Sequence, residues 1–420
     1  MINKELLRQI VIQQKEEIIK KDENVTRDIL KEILSWFKDN RIIILTGVRR
    51  CGKSTLLRQI MQNKTKYCYV NFEDERFIEF KAQDFEQLNE ILVEIYDNPN
   101  IYLFDEIQNI EKFETFLRRL QDQGKKIIIT GSNASLLSKE LGTRLTGRYK
   151  SFEIYPFSFF EYLKFNSIGI EKDWFYITEK KIKIKNLFGS YTDEGGFPEY
   201  LRNKDIDYIK TVYENIIFKD VISRYSIRKQ KVIKELVNIL TTNISSLFTY
   251  NSLKKDLGLA NAITIKEYIS YLTNSYLFFE LQKFDYSIRK QLNFPKKIYL
   301  IDQIFNKTIG FNFSKNLGKI LENIIFIELK RRKKEIYYYS DKNECDFVVK
   351  NGAKISEAVQ VCYILNKDNK EREINGLIEA MDKFRLKKGI ILTYEQEEEI
   401  RIKNKNIKVI PVWKWLLENY

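Results

Sequence analysis

Apolar positions change their period along this chain. Residues 1–40 carry Leu6, Leu7, Ile10, Ile18 and Ile19, then Ile29, Ile33, Leu34 and Phe37, at helical spacing. From residue 41 onward, apolar runs of strand length take over: RIIIL (41–45), KYCYVNF (66–72), IYLFDE (101–106), KKIIITG (125–131) and KSFEIY (150–155). Amphipathic stretches separate them, among them STLLRQIM, DFEQLNEILVEIY, EKFETFLRRLQDQ and ASLLSKEL. Wholly apolar strands divided by helices predict βαβ units, and hence a parallel sheet covered on both faces.

After Pro156 the pattern is mostly helical to about residue 245. Residues 248–284 then predict two short helices, a turn at Gly258 and an alternating strand, the order of a winged helix-turn-helix. From about 298 strands and helices alternate again through KIYLID, a helix over 315–332, EIYYYS, CDFVVK, ISEAVQVCYI, a helix near 371–385, GIILTY and NIKVIPV. The division read from this is an N-terminal helical segment (1–36), a parallel-sheet α/β core (37–165), a helical lid (166–230), a winged helix (231–297) and a final α/β domain (298–420). No repeat of fixed period runs through it.

The first strand runs into Gly47-Val48-Arg49-Arg50-Cys51-Gly52-Lys53-Ser54, with Thr55 following, which matches G-x-x-x-x-G-K-[ST]. The glycines permit a sharp backbone path whose N–H groups face a phosphate, and the helix opening at Lys53 adds its positive end. Lys53 would place a charge on the β/γ-phosphates, and the Ser54 hydroxyl would ligate Mg²⁺. The third strand ends in Asp105-Glu106. An acidic pair at that edge puts Asp105 beside the loop as a second Mg²⁺ holder and Glu106 where it would polarise the attacking water.

The fourth strand ends in Thr130-Gly131-Ser132-Asn133. Asn133 is the first choice for sensing a terminal phosphate and Ser132 the second, and either also suits the N-cap of the helix ASLLSKEL. Arg144 and Arg148, in the Gly/Thr-rich segment 141–148, have two readings of equal weight: contact with a γ-phosphate in trans, which requires an oligomer, or surface ion pairing. Arg49 and Arg50 have no assigned role, with a neighbouring subunit or the lid as candidates.

Composition narrows the chemistry. The 420 residues contain no histidine, which excludes Ser-His-Asp and Cys-His catalysis and every histidine-bearing zinc site. Any general base must then be a carboxylate, Lys, Tyr or Cys. Four scattered cysteines make neither a disulfide framework nor a CxxC pair, which fits a reduced compartment. A net charge of +14 points to an anionic partner, nucleic acid first. The charged N-terminus and the lack of 18 uninterrupted apolar residues lead to the expectation of a cytoplasmic protein without a membrane span.

ILTGVRRCGKST, LFDEIQNI, TGSNASLLS and LTGRYKSFEIYPFSFFEYL resemble the AAA-type archaeal and bacterial ATPases, of the additional-strand, catalytic-glutamate P-loop class. GGFPEY, the winged-helix region, KIYLIDQ and CDFVV…AVQVCY resemble the C-terminal region that accompanies that ATPase domain, so the likeness spans essentially the whole chain. It implies ATP as the nucleotide, a five-stranded core, Lys53, Ser54 and Asp105 at Mg·ATP, Glu106 as catalytic base, and a C-terminal domain similar to restriction endonucleases.

Metal-dependent nucleases of that fold need an Asp on one strand and an acidic-x-Lys on the next. Asp346 occupies the first place, but the second reads Gln360-Val361-Cys362. Glu357 is three residues from Gln360 and faces the other side of the strand, while Glu322 on the preceding helix is expected near Asp346. A degenerate cleavage site follows. The basic run Lys330–Lys334 suits a phosphate backbone or a solvated helix end, the latter slightly favoured. In the winged helix, the segment Ala262–Thr273 with Thr264 and Lys266 is the candidate recognition helix, supported by Lys254, Lys255, Lys283, Arg289, Lys290, Lys296 and Lys297. Nucleic-acid binding and a purely packing or protein-contact role stand level there, and Tyr268, Tyr271 and Leu272 read as core.

Overall fold

The computed structural model describes residues 2–19, 25–134, 145, 147–170, 174–310 and 316–418. They divide into two compact units. The first is Met1–Tyr155 together with the tripeptide Asn274–Tyr276, and the second is Pro156–Thr273 with Leu277–Tyr420.

The first unit is built on five parallel strands, β1 (Ile42–Thr46), β2 (Tyr67–Asn71), β3 (Ile101–Asp105), β4 (Lys126–Gly131) and β5 (Tyr149–Glu153), in the order β2-β3-β4-β1-β5. Every residue of β1 and of β3 is buried, as the unbroken apolar runs require of strands covered on both faces. β4 lies between β1 and β3, so the strand leading to the phosphate loop and the strand ending in the acidic pair are separated by one additional strand. In register, Thr46 pairs with Gly131 and Asn71 with Asp105, so the ends of β1, β2, β3 and β4 line up along one edge.

Helices α1 (Lys4–Ile19), α2 (Leu30–Ser35), α3 (Lys53–Gln62), α4 (Phe85–Ile95) and α5 (Phe113–Asp122) complete this unit. Leu7, Ile10 and Val11 of α1 join the same apolar core as Ile42 and Ile44 of β1, Val70 of β2 and Phe104 of β3. Gln14 of α1 does a further job: its carboxamide accepts from Asn71 N at 2.8 Å and donates to Asn71 O at 3.0 Å, so the side chain completes the ladder of edge strand β2. The expected helix ASLLSKEL falls outside the described residues.

The second unit starts with the helices Phe159–Phe165, Thr178–Glu194, Pro198–Asn203 and Ile206–Asn215, the last running on into a π-helical stretch at Ile216–Ser223, and Gln230–Thr242. Then come β6 (Leu247–Phe248), the helices Tyr250–Asp256 and Ala262–Asn274, β7 (Phe278–Leu281) and β8 (Lys296–Leu300). The three strands form an antiparallel sheet ordered β6-β8-β7. Thr249 caps the first of the two helices by accepting from Ser252 N, and Gly258 takes a positive φ of 61° in the turn between them.

The helix Leu317–Arg331 opens the final region, followed by β9 (Glu335–Ser340), β10 (Glu344–Asn351), β11 (Lys354–Val361), the helix Lys370–Lys383, β12 (Lys388–Thr393), β13 (Glu398–Ile402) and β14 (Lys405–Pro411). They form a separate mixed sheet of six strands, β13-β14-β12-β11-β10-β9, in which β11–β12 and β12–β14 are parallel and the other pairs antiparallel. Two of the sequence motifs meet inside this unit. Asp302 of KIYLIDQ accepts from Gly196 N of GGFPEY at 2.7 Å and from Ile304 N at 2.9 Å, and burial pushes its carboxyl up to about 7.

Helix Lys370–Lys383 packs on β10 closely enough that a β-carbon at Gly376 would meet Glu344 O at 2.1 Å, whereas Gly169 has open space. Gly376→Ala is therefore expected to cost about 1–3 kcal/mol through forced separation of helix and sheet, despite alanine's better helix propensity. Thermal unfolding checks it, with Gly169→Ala expected to leave the midpoint unchanged.

Candidate nucleotide site

The loop after β1 owes its path to glycines at positions where a side chain does not fit. Gly47 has φ 156°, and a β-carbon there would lie 2.1 Å from Ile154 O, a backbone atom that cannot yield. Gly52 precedes α3 with φ 100°, and Arg50 also takes a left-handed conformation with φ 67°. From the first turn of α3, Lys53 reaches back over the loop, donating to Gly47 O at 3.0 Å and Val48 O at 3.1 Å. The same ammonium stands 3.6 Å from Glu106 Oε1, with both side chains nearly sealed from solvent.

Asp105 and Glu106 are adjacent and buried, yet their surroundings push them apart. Asp105 is raised above the usual carboxylate range by burial and by the charge of Glu106, while hydrogen bonds with Ser54 and Thr130 and the charge of Lys53 pull the other way. Its second oxygen accepts from the Tyr69 hydroxyl at 3.1 Å. Glu106 is buried as well, but the charges of Lys53 and Arg49, with hydrogen bonds from Gln108 and Ser132, outweigh burial and hold it below its ordinary value. Glu106 takes a positive φ of 49°, and its backbone N–H donates to Thr130 Oγ1 at 2.9 Å. One threonine thus ties the end of β4 to both acids.

The predicted residues divide as follows. Gly47 through Thr55, Asp105, Glu106, Ser132 and Asn133 gather at the carboxyl edge of the sheet. Ser132 is the member of the β4 pair whose hydroxyl meets Glu106, and Asn133 is fully buried beside it. Arg49 pairs with Glu73. Arg148 sits at the other edge: its carbonyl accepts from Ile42 N at the start of β1, and its guanidinium pairs with Asp122 at 2.6 Å. It does not reach the loop of its own chain. Arg144 lies outside the described residues.

Two residues at this loop went unread in the sequence. Arg27 is buried, and its guanidinium donates to Cys51 O at 2.9 Å and Tyr155 O at 2.7 Å, clamping the loop's carbonyl side. The signal was weak, a lone cation in a polar stretch before a helix. Tyr276 has φ 61° and donates its hydroxyl to Thr46 Oγ1 at 2.8 Å, at the root of the loop. Its 230-residue separation from Thr46 explains why no local pattern announced it.

Residues 39–163 match the family model of the AAA domain. Across 99% of its length and 96% of the other's, the chain is 38% identical to the uncharacterized Methanocaldococcus jannaschii protein MJ1544. The chain belongs to the same family as that protein and carries an AAA domain. An uncharacterized Haemophilus influenzae protein is 29% identical over 94% of this chain and 99% of its own. Residues 186–309 and 317–415 match two further families, each described as a domain of unknown function. Among solved structures, the Walker-type ATPase PABY2304 of Pyrococcus abyssi aligns at 15% identity and a TM-score of 0.44, covering 70% of this chain and 99% of its own, too loose a likeness to bear on function.

Several of the basic side chains considered for a phosphate backbone are engaged within the chain. Arg331 and Arg332 both pair with Glu328, at 3.1 and 2.8 Å, and Lys334 pairs with Glu357 at 2.8 Å, so the run 330–334 is packed helix end rather than an open stripe. Lys296 and Lys297 are buried, contrary to a place among the surface cations of the wing: Lys296 lies over the Tyr250 ring and Lys297 is tied to carboxylates. Lys266, Arg289 and Lys290 are exposed. Tyr268 and Leu272 are core, and Tyr271 stacks on Tyr225 at 3.8 Å between ring centres. No helix among the described residues is long and apolar enough to cross a membrane.

Replacing Arg27 by Met keeps bulk but removes two charge-assisted hydrogen bonds, at an expected cost of about 2–4 kcal/mol. Thermal unfolding measures that cost, and ATP affinity should fall about tenfold because the loop loses its clamp.

Proposed function

We propose that this protein is an Mg²⁺-dependent ATPase whose hydrolytic site is the carboxyl edge of its parallel sheet, and that turnover drives a conformational change of its C-terminal modules. The observation that carries the reading is the approach of Lys53 to Glu106 beside the Ser54–Asp105 hydrogen bond. The residues suit the ligands. Gly47 through Thr55 supply a loop and a helix N-terminus suited to a polyphosphate, and a hydroxyl next to a carboxylate is the hard-oxygen pair that Mg²⁺ takes. When bound there, Mg²⁺ neutralises charge on the phosphate oxygens.

Lys53 binds the β/γ-phosphates, and in doing so exchanges its contact with Glu106 for one with the substrate. Glu106, held ionised by its surroundings, orients and polarises the attacking water, a base available in a chain without histidine. Thr130 and Ser132 fix the two acids, and Asn133 or Ser132 senses the terminal phosphate. Arg144 and Arg148 belong to this reading only as groups supplied to a neighbouring copy, which makes a homo-oligomer part of the proposal.

In the same reading, residues 166–230 are a lid, 231–297 a winged helix and 298–420 a restriction-endonuclease-like domain. DNA is the proposed partner of the winged helix, supported by the net charge of +14 and the exposed Lys266, Arg289 and Lys290. Cleavage by the last domain is not part of the proposal, since Gln360 and Cys362 replace the acid and the lysine that metal-dependent cleavage uses.

Lys53→Ala should lower ATP turnover by at least a hundredfold and weaken binding, whereas Glu106→Gln should retain binding and stop turnover. Steady-state phosphate release with parallel nucleotide binding separates the two, and unchanged turnover in either variant defeats the assignment. EDTA should abolish turnover in the wild type, with recovery on adding Mg²⁺.

A further inference from the structure

A second group of buried ionised side chains lies in the second unit and shares no residue with the nucleotide site. Lys297 of β8 is 2% exposed. Its ammonium is 2.9 Å from Glu322 Oε1 on helix Leu317–Arg331, and 2.8 Å from both Glu344 Oε1 and Asp346 Oδ1 on β10. Each of the two buried acids is also oriented by a further donor. The Tyr299 hydroxyl reaches Glu322 Oε1 at 2.6 Å, and Val361 N reaches Asp346 Oδ2 at 2.9 Å. Burial disfavours the lysine's charge, but Asp346 and Glu322 outweigh it and push the ammonium's pKa up. Burial and the charge of Asp346 push Glu322 up in turn.

Three carboxylates converging on one cation, two of them two residues apart on one strand and one on the helix before it, form the donor set that a hard divalent metal takes. Here the three donors of an ammonium satisfy it instead. No group of three or more His, Cys, Asp or Glu among the described residues is placed to hold a metal ion. The neighbouring strand adds nothing toward one. Gln360 accepts from Asp346 N at 3.2 Å and donates to Glu373 Oε2 at 2.7 Å, and burial pushes the Cys362 thiol up to about 12.

We propose that Lys297 is the resident cation of this cluster, filling with its ammonium the position a divalent metal would otherwise occupy, so that the six-stranded domain is a metal-independent module with a latent metal site under the lysine. Removing the ammonium leaves three acids without their counter-ion, which strongly favours capture of a substitute cation. This inference is independent of the ATPase reading, because none of its residues belongs to the phosphate site.

The test is Mn²⁺ titration of the nucleotide-free full-length chain, followed by loss of the free-ion paramagnetic resonance signal. Lys297→Met should take up one Mn²⁺ more than the wild type, at least tenfold more tightly than any wild-type site, and adding Asp346→Asn should remove it. Lys297→Gln, which keeps a polar side chain, should behave the same way should the methionine variant fail to fold. Uptake by a folded Lys297 variant that equals the wild type overturns the proposal. So does wild-type uptake that Asp346→Asn alone abolishes, whereas wild-type uptake indifferent to that substitution supports it. An added Mn²⁺ that persists in the Lys297→Met/Asp346→Asn chain also overturns it.

Discussion

Everything in the first unit is organised by the need to keep two neighbouring carboxylates buried without letting them neutralise each other. Asp105 and Glu106 follow one another in sequence at the end of a fully buried strand, a position where repulsion and desolvation act together. The fold answers with different partners for each. Thr130, Tyr69 and Ser54 hold Asp105, while Lys53 and Arg49 hold Glu106. The left-handed backbone at Glu106 separates the two side chains' surroundings, and the phosphate loop is clamped from beneath by Arg27 so that Lys53 stays within reach.

The same physics recurs in the six-stranded domain with the opposite balance of charge. There one lysine serves three acids, and the cluster is closed by the protein's own cation. A buried ammonium surrounded by carboxylates is stable only while every partner remains, which makes such a cluster weak evidence for stability and good evidence for a fixed arrangement. Side chains from β8, from the helix Leu317–Arg331 and from β10 are tied at a single nitrogen. The three-stranded and six-stranded sheets of the second unit are thereby linked by charge as well as by apolar contact.

Much of the first unit was legible because its signals are local. Unbroken apolar runs such as Ile42–Leu45 and Ile101–Phe104 can only be strands covered on both faces, and the phosphate loop must follow the first of them. The acidic pair was readable as a candidate because it ends such a run. What was not legible depends on distance in sequence. Arg27 and Tyr276 meet the loop through folds of the chain that no periodicity encodes. Lys297 was misread for a related reason: next to Lys296 at the head of an apolar run it looks like a solvated cation, and only the fold brings the carboxylates of residues 322, 344 and 346 to it. The nearness of Glu322 to Asp346 was expected; the lysine between them was not.

In the proposed mechanism the bend between Gly47 and Ser54 encloses a triphosphate, with Asp105 and Glu106 facing its terminal end. A crystal structure of the Glu106→Gln chain soaked with ATP and Mg²⁺ tests this directly. Nucleotide density is expected with its phosphates against the loop's backbone N–H groups and Lys53 Nζ, and a metal between Ser54 Oγ and the phosphates on the Asp105 side. Nucleotide bound elsewhere on the chain, or a loop that remains closed on Lys53 with no phosphate beside it at saturating ATP, would contradict it.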